Sequence, residues 1–164
     1  MKQEKTTAKV ISVQNEKGGT AKTTTATALA YILAKKGEKV LLIDMDGQAH
    51  ATMLMQGFNT VKPQVKNPNK LEITISTLLN KVITGEPLPD PESYIISSKN
   101  GVDLIPSNSQ LFMLERNLSG VDFREYKLSE YICTIKDGYS YIIRPPRKLN
   151  PSLIVDYTAN QRHS

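Results

Sequence analysis

Asn15-Glu16-Lys17-Gly18-Gly19-Thr20-Ala21-Lys22-Thr23-Thr24 lies between a β-branched run and a segment of helical spacing. The run before it, Lys9-Val10-Ile11-Ser12-Val13-Gln14, alternates as a strand does, and Thr23 to Lys36 carries apolar residues at helical intervals. A strand, a glycine turn and a helix therefore meet in this stretch. Gly18 and Gly19 lack a β-carbon, so consecutive N–H groups can curl around phosphate oxygens. Lys22 compensates charge, and the helix opening near Thr23 adds unpaired N–H groups and the positive end of its dipole, worth about 0.3–2 kcal/mol per anionic contact. Thr23, directly after the lysine, stands where a hydroxyl ligand to Mg²⁺ is expected. Together these features predict a polyphosphate-binding loop.

The pattern G-x-x-x-x-G-K-[ST] is not met, because Glu16 and Ala21 occupy its glycine positions. Lys17 before the glycine pair, followed by Lys22-Thr23-Thr24, instead resembles the K-G-G-x-G-K-[ST]-T loop of the ParA/MinD family of P-loop ATPases. Only Ala21 departs from that pattern; if the backbone there needs a positive φ, the strain is about 1 kcal/mol or more. The resemblance implies that Lys17, Gly18, Gly19, Thr20, Ala21, Lys22, Thr23 and Thr24 bind ATP. It also implies that Lys22 holds the β- and γ-phosphates, that Thr23 ligates Mg²⁺, and that Lys17 reaches the phosphates of the other subunit in a nucleotide-sandwich dimer.

Two further blocks extend the resemblance. Lys39-Val40-Leu41-Leu42-Ile43-Asp44 is too continuously apolar for a half-exposed strand and reads as a buried parallel one, ending in Asp44-Met45-Asp46-Gly47-Gln48. Ligands of open α/β sheets collect at the carboxyl edge, so these acids can face phosphate and metal. The segment is similar to the family's V-L-L-I-D-x-D-P-Q block with Gly47 in place of proline. The likeness implies that Asp46 orients the attacking water and that Asp44 approaches the metal. Gly101-Val102-Asp103-Leu104-Ile105-Pro106-Ser107-Asn108 resembles the L-x-L-I-P-[AS]-N strand and turn and leads into a helix carried by Leu111, Leu114, Glu115 and Leu118, whose pattern reads as packing against the sheet. Ile75 to Thr84 reads as another helix, stopped by Gly85, Pro87 and Pro89.

The matches span about Val10 to Ile143. They predict an α/β P-loop NTPase sandwich, with a mostly parallel sheet, flanking helices and right-handed crossovers. The expected division is a flexible arm over 1–8, one partial ATPase domain over 9–143 and a divergent tail over 144–164. Asp137-Gly138-Tyr139-Ser140-Tyr141-Ile142-Ile143 looks like the family's Y-D-Y-I-I-I-D-x-P-P strand, but Arg144-Pro145-Pro146 follows at once and the terminal Walker B acid is missing. Leu153-Ile154-Val155-Asp156 offers a rival strand and acid. The family's second half, which supplies further strands, the adenine loop, part of the dimer face and DNA-gripping residues, is not matched, so the fold is expected to be incomplete at its C-terminal side with an open sheet edge.

Composition narrows the remaining classes. The 164 residues are 39% hydrophobic, enough for one substantial core, and no long apolar span or signal peptide stands out. Cys133 is the only cysteine and His50 and His163 the only histidines, which excludes an internal disulfide and a Cys/His metal cluster and suggests a reducing cytoplasm. The net charge of +5 permits DNA binding without demonstrating it. Lys62, Lys66 and Lys70 read first as a solvated loop, and Arg144, Arg147 and Lys148 as a second basic cluster. No amphipathic terminal helix is evident, which argues against a membrane-targeted branch.

The resemblance thus implies an ATPase of plasmid or chromosome partitioning. ATP and Mg²⁺ would control dimerisation and non-specific DNA binding, at the nucleoid within the cytoplasm, and a ParB-type centromere-binding protein would stimulate hydrolysis. Two other classes remain open. One is a truncated, non-catalytic remnant that binds nucleotide weakly or associates with an intact relative. The other is a MinD-like protein of electron transfer or metal-cluster delivery, disfavoured by the lack of a cysteine pair.

Overall fold

The computed structural model describes residues 8–13, 21–56, 71–97, 101–117, 132 and 134–144. Lys17, Gly18, Gly19, Thr20, the basic loop at Lys62, Lys66 and Lys70, Leu118 and Asp156 lie outside the described residues, as do the arm before Ala8 and the tail after Arg144.

Four strands form one parallel sheet: β1 (Lys9–Ser12), β2 (Val40–Ile43), β3 (Val102–Ile105) and β4 (Tyr141–Arg144), in the spatial order β1-β4-β2-β3. The register sets Ser12 beside Arg144, Leu42 beside Ile143 and Ile43 beside Ile105, so the carboxyl ends of the strands finish along one edge. Strand β2 is buried at every position because it has a neighbour on each side and helices over both faces. Its unbroken Val-Leu-Leu-Ile run follows from that double burial.

Alternate residues of the strands feed two cores. Helix α1 (Lys22–Lys35) and helix α2 (His50–Gln56) cover one face, where Ala26, Ala30, Ala51 and Met55 pack with Val40, Leu42, Val102, Leu104 and Ile143. Helices α3 (Ile75–Thr84) and α5 (Gln110–Asn117) cover the other, where Ile75, Leu78 and Leu111 meet Leu41, Ile43, Ile105 and Ile142. Between them a single turn, α4 (Pro91–Tyr94), adds Tyr94 to that second core. This is the expected three-layer α/β arrangement.

Helix ends follow local chemistry. Helix α3 opens with a capping box of Thr74 and Thr77 and closes on Gly85 at φ 73°, the left-handed conformation glycine takes without strain. Strands β1 and β2 are shorter than the sequence pattern suggested, at four residues each. Lys136–Gly138 forms a 3₁₀ turn ahead of β4, so Asp137 and Gly138 are not part of that strand. Among the described strands β1 lies at an edge of the sheet, with Val10 44% exposed.

Candidate functional site

Strand β1 delivers the chain to the glycine stretch and α1 receives it. The receiving end is well defined: Ala21 caps α1 in the left-handed region, at φ 53° and ψ 23°, and its carbonyl accepts from Thr25 N–H at 2.8 Å. The positive φ that glycine would supply is therefore required here and met by alanine. Left-handed backbone costs a non-glycine residue about 1–2 kcal/mol, partly offset by the lower unfolded-state entropy of alanine. We expect Ala21→Gly to raise stability by about 0.5–1 kcal/mol on that balance, read as a higher urea midpoint at unchanged slope.

Lys22 and Thr23 open the first turn of α1, whose amides have no helical partners. Thr23 and Thr24 line an open cavity of about 380 Å³, with His50, Met53 and Leu54 of α2 on the other side. The two helices face each other across it. Behind Thr23, the Thr27 hydroxyl donates to the carbonyls of Thr23 and Thr24 at 2.9 and 3.0 Å, which fixes this turn.

The two acids after β2 have different surroundings. Asp44 is 0% exposed: its Oδ2 accepts from the Thr52 amide at 2.8 Å and the Thr52 hydroxyl at 2.7 Å, and its Oδ1 accepts from Asp46 N–H at 3.1 Å. Thr52 Oγ1 in turn accepts from Ser107 N–H at 2.9 Å, tying the end of β2 and the start of α2 to the loop after β3. Burial pushes the Asp44 carboxyl above the usual carboxylate range, and the bonds from Thr52 and Asp46 offset only part of that. Asp46 is half-buried, with Oδ1 accepting from Gln48 N–H at 3.0 Å and Oδ2 lying 3.3 Å from His50 Nδ1.

The Asp46 turn closes through Ala49, whose N–H donates to the Asp46 carbonyl at 2.8 Å and whose φ is 56°. Gly47, where the family pattern has proline, lies directly beneath the Phe112 ring; a β-carbon there would come within 2.8 Å of ring atoms. The glycine thus makes room for an aromatic side chain from α5. Arg144, at the end of β4 where an acid was sought, donates from Nε to Ser12 Oγ at 2.8 Å and is held against the strand that leads into the loop.

The structure brings Thr23 and Thr24 together with α2 around one cavity. Asp46 stands beside it through His50, and Asp44 lies under the turn with both oxygens already engaged. The α1 amides suit phosphate oxygens, and the Thr23 hydroxyl suits a Mg²⁺ held by that phosphate, an ion that keeps most of its ligands from phosphate and water. Asp44 as placed does not suit that ion directly, since it would have to give up Thr52. Sequence reasoning missed α2, and with it His50, because His-Ala-Thr-Met-Leu-Met-Gln has no capping residue ahead of it and only a left-handed alanine starts it.

A parallel α/β sheet with a deviant glycine loop and an acid pair at its carboxyl edge defines the class of P-loop nucleotide-binding folds. An AAA domain family model (AAA_31) matches residues 8–155, which carries the family pattern past Arg144 into the segment set apart above as a tail. The chain belongs to the ParA/MinD-type P-loop ATPase family. It is 32% identical over 154 residues to the chromosome partitioning protein ParA of Caulobacter vibrioides, covering 92% of this chain and 52% of that protein. Its fold is similar to cobyrinic acid a,c-diamide synthase from Mycobacterium smegmatis with a bound ATP analogue and magnesium, at a TM-score of 0.68 and 29% identity over 85% of this chain and 52% of that one. It is also similar to a plasmid partition protein from Borrelia burgdorferi, at 0.64 and 28% over 87% and 57%. The chain spans about half the length of the curated relatives it matches. No helix among the described residues is long and apolar enough to cross a membrane.

Proposed function

We propose that this chain binds Mg²⁺-ATP at the loop running from Lys17 to Thr24 and hydrolyses it as part of a DNA-partitioning system. The observation that carries the reading is that Thr23 and Thr24 at the α1 N-terminus line one cavity with His50, which in turn meets Asp46. Lys17, Gly18, Gly19, Thr20 and Ala21 would wrap the phosphates, Lys22 would neutralise the β- and γ-phosphates, and Thr23 would hold Mg²⁺. That ion, when bound, supplies charge neutralisation on the phosphate oxygens. Asp46 would orient water toward the γ-phosphate, so that catalysis is alignment and charge compensation rather than covalent chemistry. Asp44, assigned to the metal by resemblance, would serve it by anchoring the turn that carries Asp46.

By the same reading Lys17 reaches across an ATP-dependent homodimer, which binds DNA without sequence preference in the cytoplasm and at the nucleoid. A ParB-type partner would stimulate turnover. These roles rest on the family and on the partition proteins among its relatives. A second reading, a nucleotide binder without turnover, is favoured by one observation: Arg144 rather than an acid ends β4.

Steady-state ATP turnover with and without duplex DNA separates the two. We expect the parent chain to hydrolyse ATP faster with DNA, and Asp46→Ala to lose about 100-fold in turnover while keeping nucleotide affinity. A folded parent that binds ATP and releases no phosphate would establish the non-catalytic reading.

A further inference from the structure

We propose that His50 is a positioning residue for Asp46, holding the carboxylate in the orientation that directs water at the γ-phosphate; the inference rests on the hydrolase reading above. An acid that works through water must present one oxygen at a defined angle, and rotation about its Cβ–Cγ bond destroys that angle. Asp46 is restrained at both oxygens. Gln48 N–H holds Oδ1 at 3.0 Å, and His50 Nδ1 stands 3.3 Å from Oδ2. Gln48 N–H alone leaves the plane of the carboxylate free to swing about the shared bond. The imidazole removes that freedom.

The local backbone is arranged to place this ring. Ala49, at φ 56° and buried, folds the chain so that α2 begins at His50, one helical turn from Asp46. His50 then belongs to two surroundings at once: it meets Asp46 and lines the same cavity as Thr23 and Thr24. Met53 and Leu54 of the same helix supply apolar wall beside it. The separation of His50 from Asp46 is of the length that hydrogen bonds in unliganded catalytic sites commonly show before they tighten.

The geometry specifies the tautomer. A neutral imidazole that donates to a carboxylate through Nδ1 carries its proton there and leaves Nε2 as an acceptor. Two-bond ¹H–¹⁵N correlation spectra of the full chain at a pH where His50 is neutral read that proton directly. The expected result is a Nδ1-protonated His50 in the parent and reversion to the Nε2-protonated form in Asp46→Ala. In turnover assays His50→Ala is expected to lower kcat about 10-fold with KM and thermal midpoint unchanged, and His50→Gln, whose amide can still donate, to recover most of the loss.

A Nε2-protonated ring in the parent, or an unchanged kcat in His50→Ala of an active parent, overturns the inference and leaves the hydrolase reading intact. A parent that binds nucleotide and shows no turnover overturns both, whatever the tautomer. A parallel fall in thermal midpoint and in every kinetic constant would make His50 a structural residue only and overturn the positioning role.

Discussion

Asp44→Ala is expected to destabilise the chain by about 3 kcal/mol, the cost of removing the acceptor of several buried bonds and leaving their donors unpaired. The carboxylate receives the Thr52 amide, the Thr52 hydroxyl and the Asp46 amide, and Thr52 passes the connection on to Ser107. Without it the ends of β2 and β3 and the start of α2 lose their common tie, in a region where Ser107 Oγ and Asn108 Nδ2 already lack partners among the described residues. Asp44→Asn keeps one acceptor oxygen for Thr52 and is expected to cost less than half as much. Urea unfolding monitored by far-UV circular dichroism distinguishes them, and an Asp44→Ala midpoint equal to that of the parent would sink the anchoring role.

The same pair of variants tests the direction of the pKa shift. Burial raises the folded-state pKa of Asp44, so the folded chain holds that proton more tightly than the unfolded chain does. The stability linked to Asp44 is therefore fully present below the unfolded carboxylate value, about 3.9, and declines as pH rises through the raised folded value. Relative to Asp44→Asn, the parent is expected to lose stability as pH rises above about 4. A parent that gained stability as pH rose, with Asp44→Asn as the reference, would show that the hydrogen bonds outweigh burial.

Lys22→Ala is expected to weaken Mg²⁺-ATP binding by about 100-fold, the loss of a charge-assisted contact worth about 2–3 kcal/mol. The lysine stands at the first position of α1, where its charge adds to the helix amides rather than replacing them. Fluorescent ATP titration measures the change, and Lys22→Arg separates charge from geometry, because the guanidinium keeps the former and alters the latter. An affinity unchanged in Lys22→Ala would remove nucleotide from this loop.

Much of the frame was legible before any coordinates. The buried run Val40-Leu41-Leu42-Ile43 announces a central parallel strand because no half-exposed strand would be so continuously apolar. Helix α3 falls at the predicted residues, Ile75–Thr84, because both its stop and its capping chemistry are local. Helix α2 was not legible, since its short length and alanine start carry no local signal. The acid pair was legible as a pair but not as two roles: only the closing of Thr52 and Ser107 over Asp44 divides a buried anchor from a half-exposed acid.

The parallel α/β frame, the phosphate-type loop and the family could be read from residue order, because spacing, β-branched runs and glycine placement are properties of neighbouring residues. Folding in three dimensions is what puts Ala21 and Ala49 in left-handed backbone, makes Gly47 leave room for Phe112, bonds Arg144 to Ser12 and brings His50 to Asp46 beside the cavity. Those facts depend on how the turns leave the sheet and on groups brought together from different strands and helices. Chain order alone carries no record of them.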